Sequence, residues 1–155
     1  MIRPAQEKDI DRINELLFQI HKVHADKRPD IFKPNRKKYD SDEIMSMLHS
    51  DEMKIFCFVD EDDVVQAYAF CKIMHPKESN NMQGLKRLYI DDICVDETQR
   101  RKGIGRTLYQ YVKEYAKSID CYHILLNVWA LNDDARKFYE SLGMKPLKTD
   151  MEEIL

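Results

Sequence analysis

After Asp9-Ile10-Asp11 the apolar residues Ile13, Leu16, Leu17, Ile20 and Val23 recur at the spacing of one helical face. Met1 to Pro4, ahead of them, predicts a short strand. From Lys27 to Tyr39 two prolines, Pro29 and Pro34, stand among many charges, so the first helix ends and a loop follows. A second helix is expected next, capped by Ser41 or Asp42, with Ile44, Met45, Met47 and Leu48 apolar.

The period then changes. Ile55 to Val59 and Val64 to Ile73 are rich in β-branched and aromatic residues. The acidic run Asp60-Glu61-Asp62-Asp63 between them reads as the solvated turn of a hairpin. His75 to Gly84, with Pro76, Asn80 and Asn81, is a second connection. Leu85 to Val95 resumes as a strand, Ile104 to Ile119 as a helix and His123 to Trp129 as another strand. The helix places Ile104, Leu108, Tyr111, Val112, Tyr115 and Ile119 on one face and Lys113, Glu114 and Lys117 opposite, so it packs against a sheet on one side only. A last helix from about Asp133 to Leu142 stops at Gly143, and Met144 to Leu155 is expected to close with a strand. The order is β-α-α-β-β-β-α-β-α-β, an α/β (α+β) fold: a mixed sheet with helices on both faces. The strand–helix–strand unit over 85–129 is its one parallel crossover.

The 155 residues fit a single domain, 1–155, with no internal repeat. A net charge of −3 argues against nucleic acid or an anionic membrane as the main partner and is compatible with a cationic substrate. Cys57, Cys71, Cys94 and Cys121 lie in or beside apolar stretches without C-x-x-C spacing and read as reduced thiols. With no leader-like segment, and no apolar run near the roughly 20 residues that cross a bilayer, a cytoplasmic location is expected. The closing strand and the hairpin offer edges for pairing across a two-fold axis, hence a possible homodimer.

Candidate chemistry begins at Arg100-Arg101-Lys102-Gly103-Ile104-Gly105-Arg106, between the third long apolar segment and the amphipathic helix. Two glycines allow close backbone approach, the helix start adds its positive dipole end, and four cations surround the spot, which suggests a diphosphate cradle. It is neither a Walker loop nor a dinucleotide fingerprint, because Leu108 stands where the third glycine of G-x-G-x-x-G belongs.

Three blocks, Tyr89-Ile90-Asp91-Asp92-Ile93-Cys94-Val95, Arg100-x-x-Gly103-x-Gly105 and Asn132-x-x-Ala135-x-x-Phe138-Tyr139-Glu140-x-x-Gly143-Met144, together resemble the GNAT superfamily of N-acetyltransferases over most of the chain. The Tyr-Ile-Asp-Asp block is similar to the polyamine acetyltransferase branch, which commonly carries glutamate where this chain has Asp91. The resemblance implies a mixed, mostly antiparallel central sheet, acetyl-CoA as donor with CoA as product, and transfer to a primary amine of a small molecule. It also implies a V-shaped opening between strands ending near Val95 and Val128. Backbone at Ile93, Cys94 and Val95 would pair with the pantetheine arm, the 100–106 loop would hold the diphosphate, and Asn132, Ala135 and Tyr139 would complete the cofactor site. Tyr139 would be the acid that protonates the CoA sulfur, and the loop holding Phe32 and Tyr39 would roof the acceptor pocket.

An ammonium must lose a proton before it attacks a thioester, and a nearby carboxylate serves that step. By matching position Asp91 is the expected base, with Asp92 binding the incoming cation; strand alternation puts the two on opposite faces. Val95 N–H could hold the thioester oxygen if its strand splays from its neighbour. Tyr139 also fits a core tyrosine, and Asn132 a helix cap. His21 and His24 lack further ligands for a metal site, so none is expected, and Cys94 without a histidine partner reads as a small buried hydrophobe rather than a nucleophile. Two other functions remain open: acetylation of a protein N-terminus or lysine, and a non-catalytic acyl-CoA-binding module.

Overall fold

The computed structural model describes residues 1–155. In chain order it holds β1 (Ile2–Pro4), α1 (Ile10–Lys27), α2 (Ser41–Leu48), β2 (Met53–Val59), β3 (Val65–Met74), β4 (Arg87–Val95), α3 (Ile104–Ser118), β5 (His123–Leu126) and α4 (Asp133–Ser141). One five-stranded sheet has the order β1-β2-β3-β4-β5, antiparallel except for the parallel β4–β5 pair that α3 bridges. No helix is long and apolar enough to cross a membrane.

The alternation along β3 decides which helices cover which face. Tyr68 and Phe70 join Ile13, Leu16, Leu17 and Ile44 in a core beneath α1 and α2. Ala67, Ala69 and Cys71 face the other way, where their small size admits Leu108, Tyr109 and Val112 of α3. On α3 the buried set includes Tyr109 and Ala116, whereas Tyr111, expected to be inside, is exposed and meets Phe56 edge-on at 5.2 Å. Ala116 is too small to stand out in an apolar pattern, but it lets the helix approach the sheet.

Three further expectations change. No strand follows α4: residues 144–155 run as irregular chain with Leu147, Met151, Ile154 and Leu155 exposed. Pro146 offers no ladder donor, charges interrupt the alternation, and the segment is tied instead through Glu152, which accepts from Arg28 at 2.7 and 2.8 Å. The last strand stops at Leu126 rather than Trp129. The sheet edges are therefore β1 and β5; the hairpin β2–β3 lies inside, so neither edge named for a homodimer is present.

The loop before α2 ends in a reciprocal cap, but the capping residue is Asp40, not Ser41 or Asp42. Its carboxylate accepts from Glu43 N–H at 2.8 Å, while Glu43 accepts from Asp40 N–H at 2.8 Å. This fixes where Lys38 and Tyr39 leave the loop. Asp40→Ala should cost about 1 kcal/mol in urea unfolding; an unchanged midpoint and slope would show that the cap does not hold this junction.

Candidate active site

β4 keeps β3 as a neighbour as far as Val95 but pairs with β5 only as far as Ile90, opposite Leu126. Beyond that point the two parallel strands part. Asp96 N–H donates to Gln66 C=O at 2.8 Å, and in that register the amides of Asp92 and Cys94 turn toward β3 while those of Ile93 and Val95 turn into the gap. Arg100 Nε donates to Val95 C=O at 3.3 Å, from the gap side of the strand. The opening thus offers main-chain partners to an extended, amide-bearing chain.

The pairing of β3 with β4 skips one residue: Phe70 faces Asp92 and Cys71 faces Ile90, leaving Asp91 as the extra residue of a bulge. This overturns the expectation that Asp91 and Asp92 occupy opposite faces. Asp92 accepts from the Tyr68 hydroxyl at 3.0 Å. Asp91 accepts from the Tyr39 hydroxyl, and the Tyr39 ring stacks on Phe70 at 5.5 Å. Because Tyr68 and Phe70 both belong to the α1/α2 face, both carboxylates open on that face.

Their environments differ. Burial raises the Asp92 carboxyl to about 6, with the Asp91 charge adding to the rise and the Lys38 charge and Tyr68 hydroxyl opposing it. Asp91 is more open and has a cation of its own: Lys38 Nζ lies 3.0 Å from Asp91 Oδ2 and donates to Asp91 C=O at 3.0 Å. The same ammonium lies 5.5 Å from the Tyr39 ring centroid. Lys38 and Tyr68 were not singled out from sequence. The alternation Ala67-Tyr68-Ala69-Phe70 carried a signal for Tyr68, since it assigns both aromatics to one face; nothing local marks Lys38 among the charges of its loop.

At the start of α3, Arg101 and Gly103 are both left-handed, with φ of 64° and 80°. The first backbone donor after them with a partner is Thr107, to Gly103 C=O at 3.0 Å. The amides from Lys102 to Arg106 have no acceptor within the protein. A curled loop followed by free helix-start amides suits an anion. Gly103 is exposed, and a Cβ there would meet nothing within 4 Å, so its glycine serves the left-handed turn. Gly105 has a packing reason as well: a Cβ there would lie 3.1 Å from the Phe138 ring of α4. Arg106 donates to Ser141 at 3.2 Å and Lys102 to Gln99 at 2.8 Å, which leaves Arg101 as the basic side chain of the loop with no hydrogen bond.

Tyr139 is half-buried on α4. Its phenol is held well above the usual range by burial first and then by the Asp92 charge, which puts it at the same end of β4. It stays a proton donor at any physiological pH. Asn132 caps α4, accepting from Ala135 N–H at 3.4 Å, so its cap role is visible. Cys94 is buried and its thiol is pushed up to about 12, as suits a small core residue. Phe32 does not join the carboxylates. It stacks on His24 at 5.4 Å and meets His21 at 5.7 Å and Trp129 at 4.9 Å, tying the 28–40 loop to α1 and to the chain beyond β5.

A sequence profile described as the Acetyltransferase (GNAT) family matches residues 17–144. The chain therefore belongs to the GNAT family, acyltransferases that take their acetyl group from acetyl-CoA. A glucosamine 6-phosphate N-acetyltransferase of Arabidopsis thaliana is 28% identical over 90 residues, and the matched stretch spans 58% of this chain and 58% of that protein, less than two thirds of its length. The BH1408 protein of Bacillus halodurans, crystallised as a mutant, superposes with a TM-score of 0.97 at 34% identity over 100% of this chain and 99% of that one. The aminoglycoside N-acetyltransferase AAC(6')-Iy, solved with CoA, has a TM-score of 0.71 at 16% identity over 100% and 98% of the two chains, a likeness of fold.

Two outcomes check this geometry. Gly105→Val should destabilise the protein by about 1–3 kcal/mol through the clash with Phe138, read in urea unfolding; a variant as stable as the parent would mean that α4 does not press on α3. The Asp92 carboxyl should titrate near pH 6 by carbon-detected NMR, and Tyr68→Phe should raise that midpoint, because the lost hydroxyl stabilises the charged form. A midpoint near that of a free aspartate would remove the burial argument.

Proposed function

We propose that this protein transfers the acetyl group of acetyl-CoA directly to the primary amine of a small cationic acceptor, polyamine-like in carrying an ammonium on a flexible chain. The observation that carries this reading is the pair of carboxylates on one face beside the β4–β5 gap, with an ammonium, that of Lys38, already seated against Asp91. The unpaired amides of Ile93 and Val95 suit the amide-rich pantetheine arm, and the free amides of 102–106 with Arg101 suit a diphosphate, so the residues present fit the donor. When bound, acetyl-CoA supplies an activated thioester.

The environments redistribute the roles expected of the two aspartates. Asp91, open and paired with a cation, receives the acceptor's ammonium; Asp92, raised to about 6, takes its proton, since a base poised near neutrality is both ionised and basic enough. Val95 N–H stabilises charge on the thioester oxygen. Tyr139, kept protonated by burial, gives its proton to the departing sulfur. The 28–40 loop is tied down at Phe32, at Arg28 through Glu152, and beside it at Lys27, which donates to Leu131 C=O at 2.6 Å. Those ties favour a small acceptor over a long peptide.

Purified protein with acetyl-CoA and a panel of polyamines, aminoglycosides, amino acids and peptides should release free thiol. Tyr139→Phe and Asp92→Asn should each lower kcat by ~10²–10⁴-fold, while Asp91→Asn acts mainly on KM. Because Asp92 must be ionised, kcat/KM should climb as pH rises through about 6 and then level off, and Asp92→Asn should lose that limb. Tight acetyl-CoA binding with silence across the panel would instead identify a binding module.

A further inference from the structure

The 28–40 loop brings one of the protein's own primary amines to the place that the acceptor's ammonium would take. Lys38 Nζ lies 3.0 Å from Asp91 Oδ2 and donates to Asp91 C=O at 3.0 Å. The Tyr39 ring lies beneath it at 5.5 Å, and the Tyr39 hydroxyl grips the same carboxylate. Its neighbour Lys37 is turned the other way, donating to Asn14 Oδ1 at 2.6 Å. The Lys38 side chain remains 44% exposed, so the seat is open rather than a sealed ion pair.

From this we propose that Lys38 is acetylated in cis: with acetyl-CoA bound and no acceptor present, the protein modifies its own roof loop. The inference rests on the transfer reaction proposed above. The Lys38 ammonium first yields a proton to the carboxylate pair. Its Nζ lone pair then forms the N–C bond to the thioester carbonyl carbon as the C–S bond breaks. The sulfur leaves with the bonding electrons and takes a proton from Tyr139, the second nitrogen proton restores the phenol, and the carboxylate pair releases the first proton to solvent. Overall, an ammonium and acetyl-CoA become an amide, CoA thiol and one released proton. The amide has no charge to pair with Asp91, so the product loses the loop's ionic hold on β4 and leaves the carboxylate pair free for an outside cation.

Exposure alone would favour other lysines, since the side chains of Lys22 and Lys117 are 71% and 60% exposed. Placement favours Lys38. Incubation with acetyl-CoA alone, followed by site-resolved mass spectrometry, should show acetyl on Lys38 at least about tenfold faster than on Lys22 or Lys117. The fraction modified per unit time should not depend on protein concentration. In the ligand-free protein, Lys38→Gln should raise the Asp92 titration midpoint by NMR, because the cation opposes the burial and the Asp91 charge that act on it, alongside the Tyr68 hydroxyl. Three results overturn the inference while leaving the transferase reading intact: outside amines acetylated with Lys38 no faster than Lys22 and Lys117; a rate that scales with protein concentration; or no change at Asp92 in Lys38→Gln. Failure to acetylate both outside amines and Lys38 would bring down the two readings together.

Discussion

β4 must satisfy two neighbours of unequal reach. β3 holds it to Val95, whereas β5 lets go at Ile90, and Asp91, Asp92, Ile93 and Val95 all lie along the stretch where only one neighbour remains. Backbone amides are obligatory hydrogen-bonding groups, so a strand with one bare side invites an extended ligand to complete it. The free amides at the start of α3 extend the same logic around the corner, from an amide-bearing arm to a diphosphate.

The bulge at Asp91 works against the ordinary alternation of a strand. By adding one unpaired residue it turns Asp91 and Asp92 to a common face, where burial raises the Asp92 carboxyl and the Asp91 charge adds to the rise. Tyr68 and Phe70 supply the low-dielectric wall that burial requires, and their own orientation follows from the small residues Ala67 and Ala69 on the other side of β3. The electrostatics of the site thus trace back to a packing choice: aromatics under α1 and α2, alanines under α3.

The roof of the site is held by side chains rather than by regular structure. Phe32 wedges between the histidines of α1 and Trp129, Arg28 clasps Glu152 from the far end of the chain, and the Asp40–Glu43 cap sets the exit into α2. Lys38 and Tyr39 project from the stretch between these anchors onto Asp91. A loop so placed can carry both a hydroxyl and an ammonium to a strand more than fifty residues away in sequence.

Much of this was legible in the chain. Helical spacing from Ile13 to Ile20, β-branched runs at 55–59 and 64–73, the glycine-bearing loop before α3 and Gly143 after α4 are local signals, and local energetics were enough to place those elements and the one parallel crossover. Gly143 does adopt a left-handed φ of 90°. Other features depend on neighbours the sequence does not list beside them. Whether Met144 to Leu155 pairs as a strand depends on an edge being available, and Pro146 with its flanking charges leaves it unpaired. The glycine at 105 answers to Phe138, a residue on another helix. The common face of Asp91 and Asp92 depends on how β3 registers against β4, and the cation beside Asp91 on where a loop lands. Periodicity sets which residues form a helix or strand because that is decided within a few residues; register, splay and charge pairing are sums over distant contacts, and only the packed fold contains them.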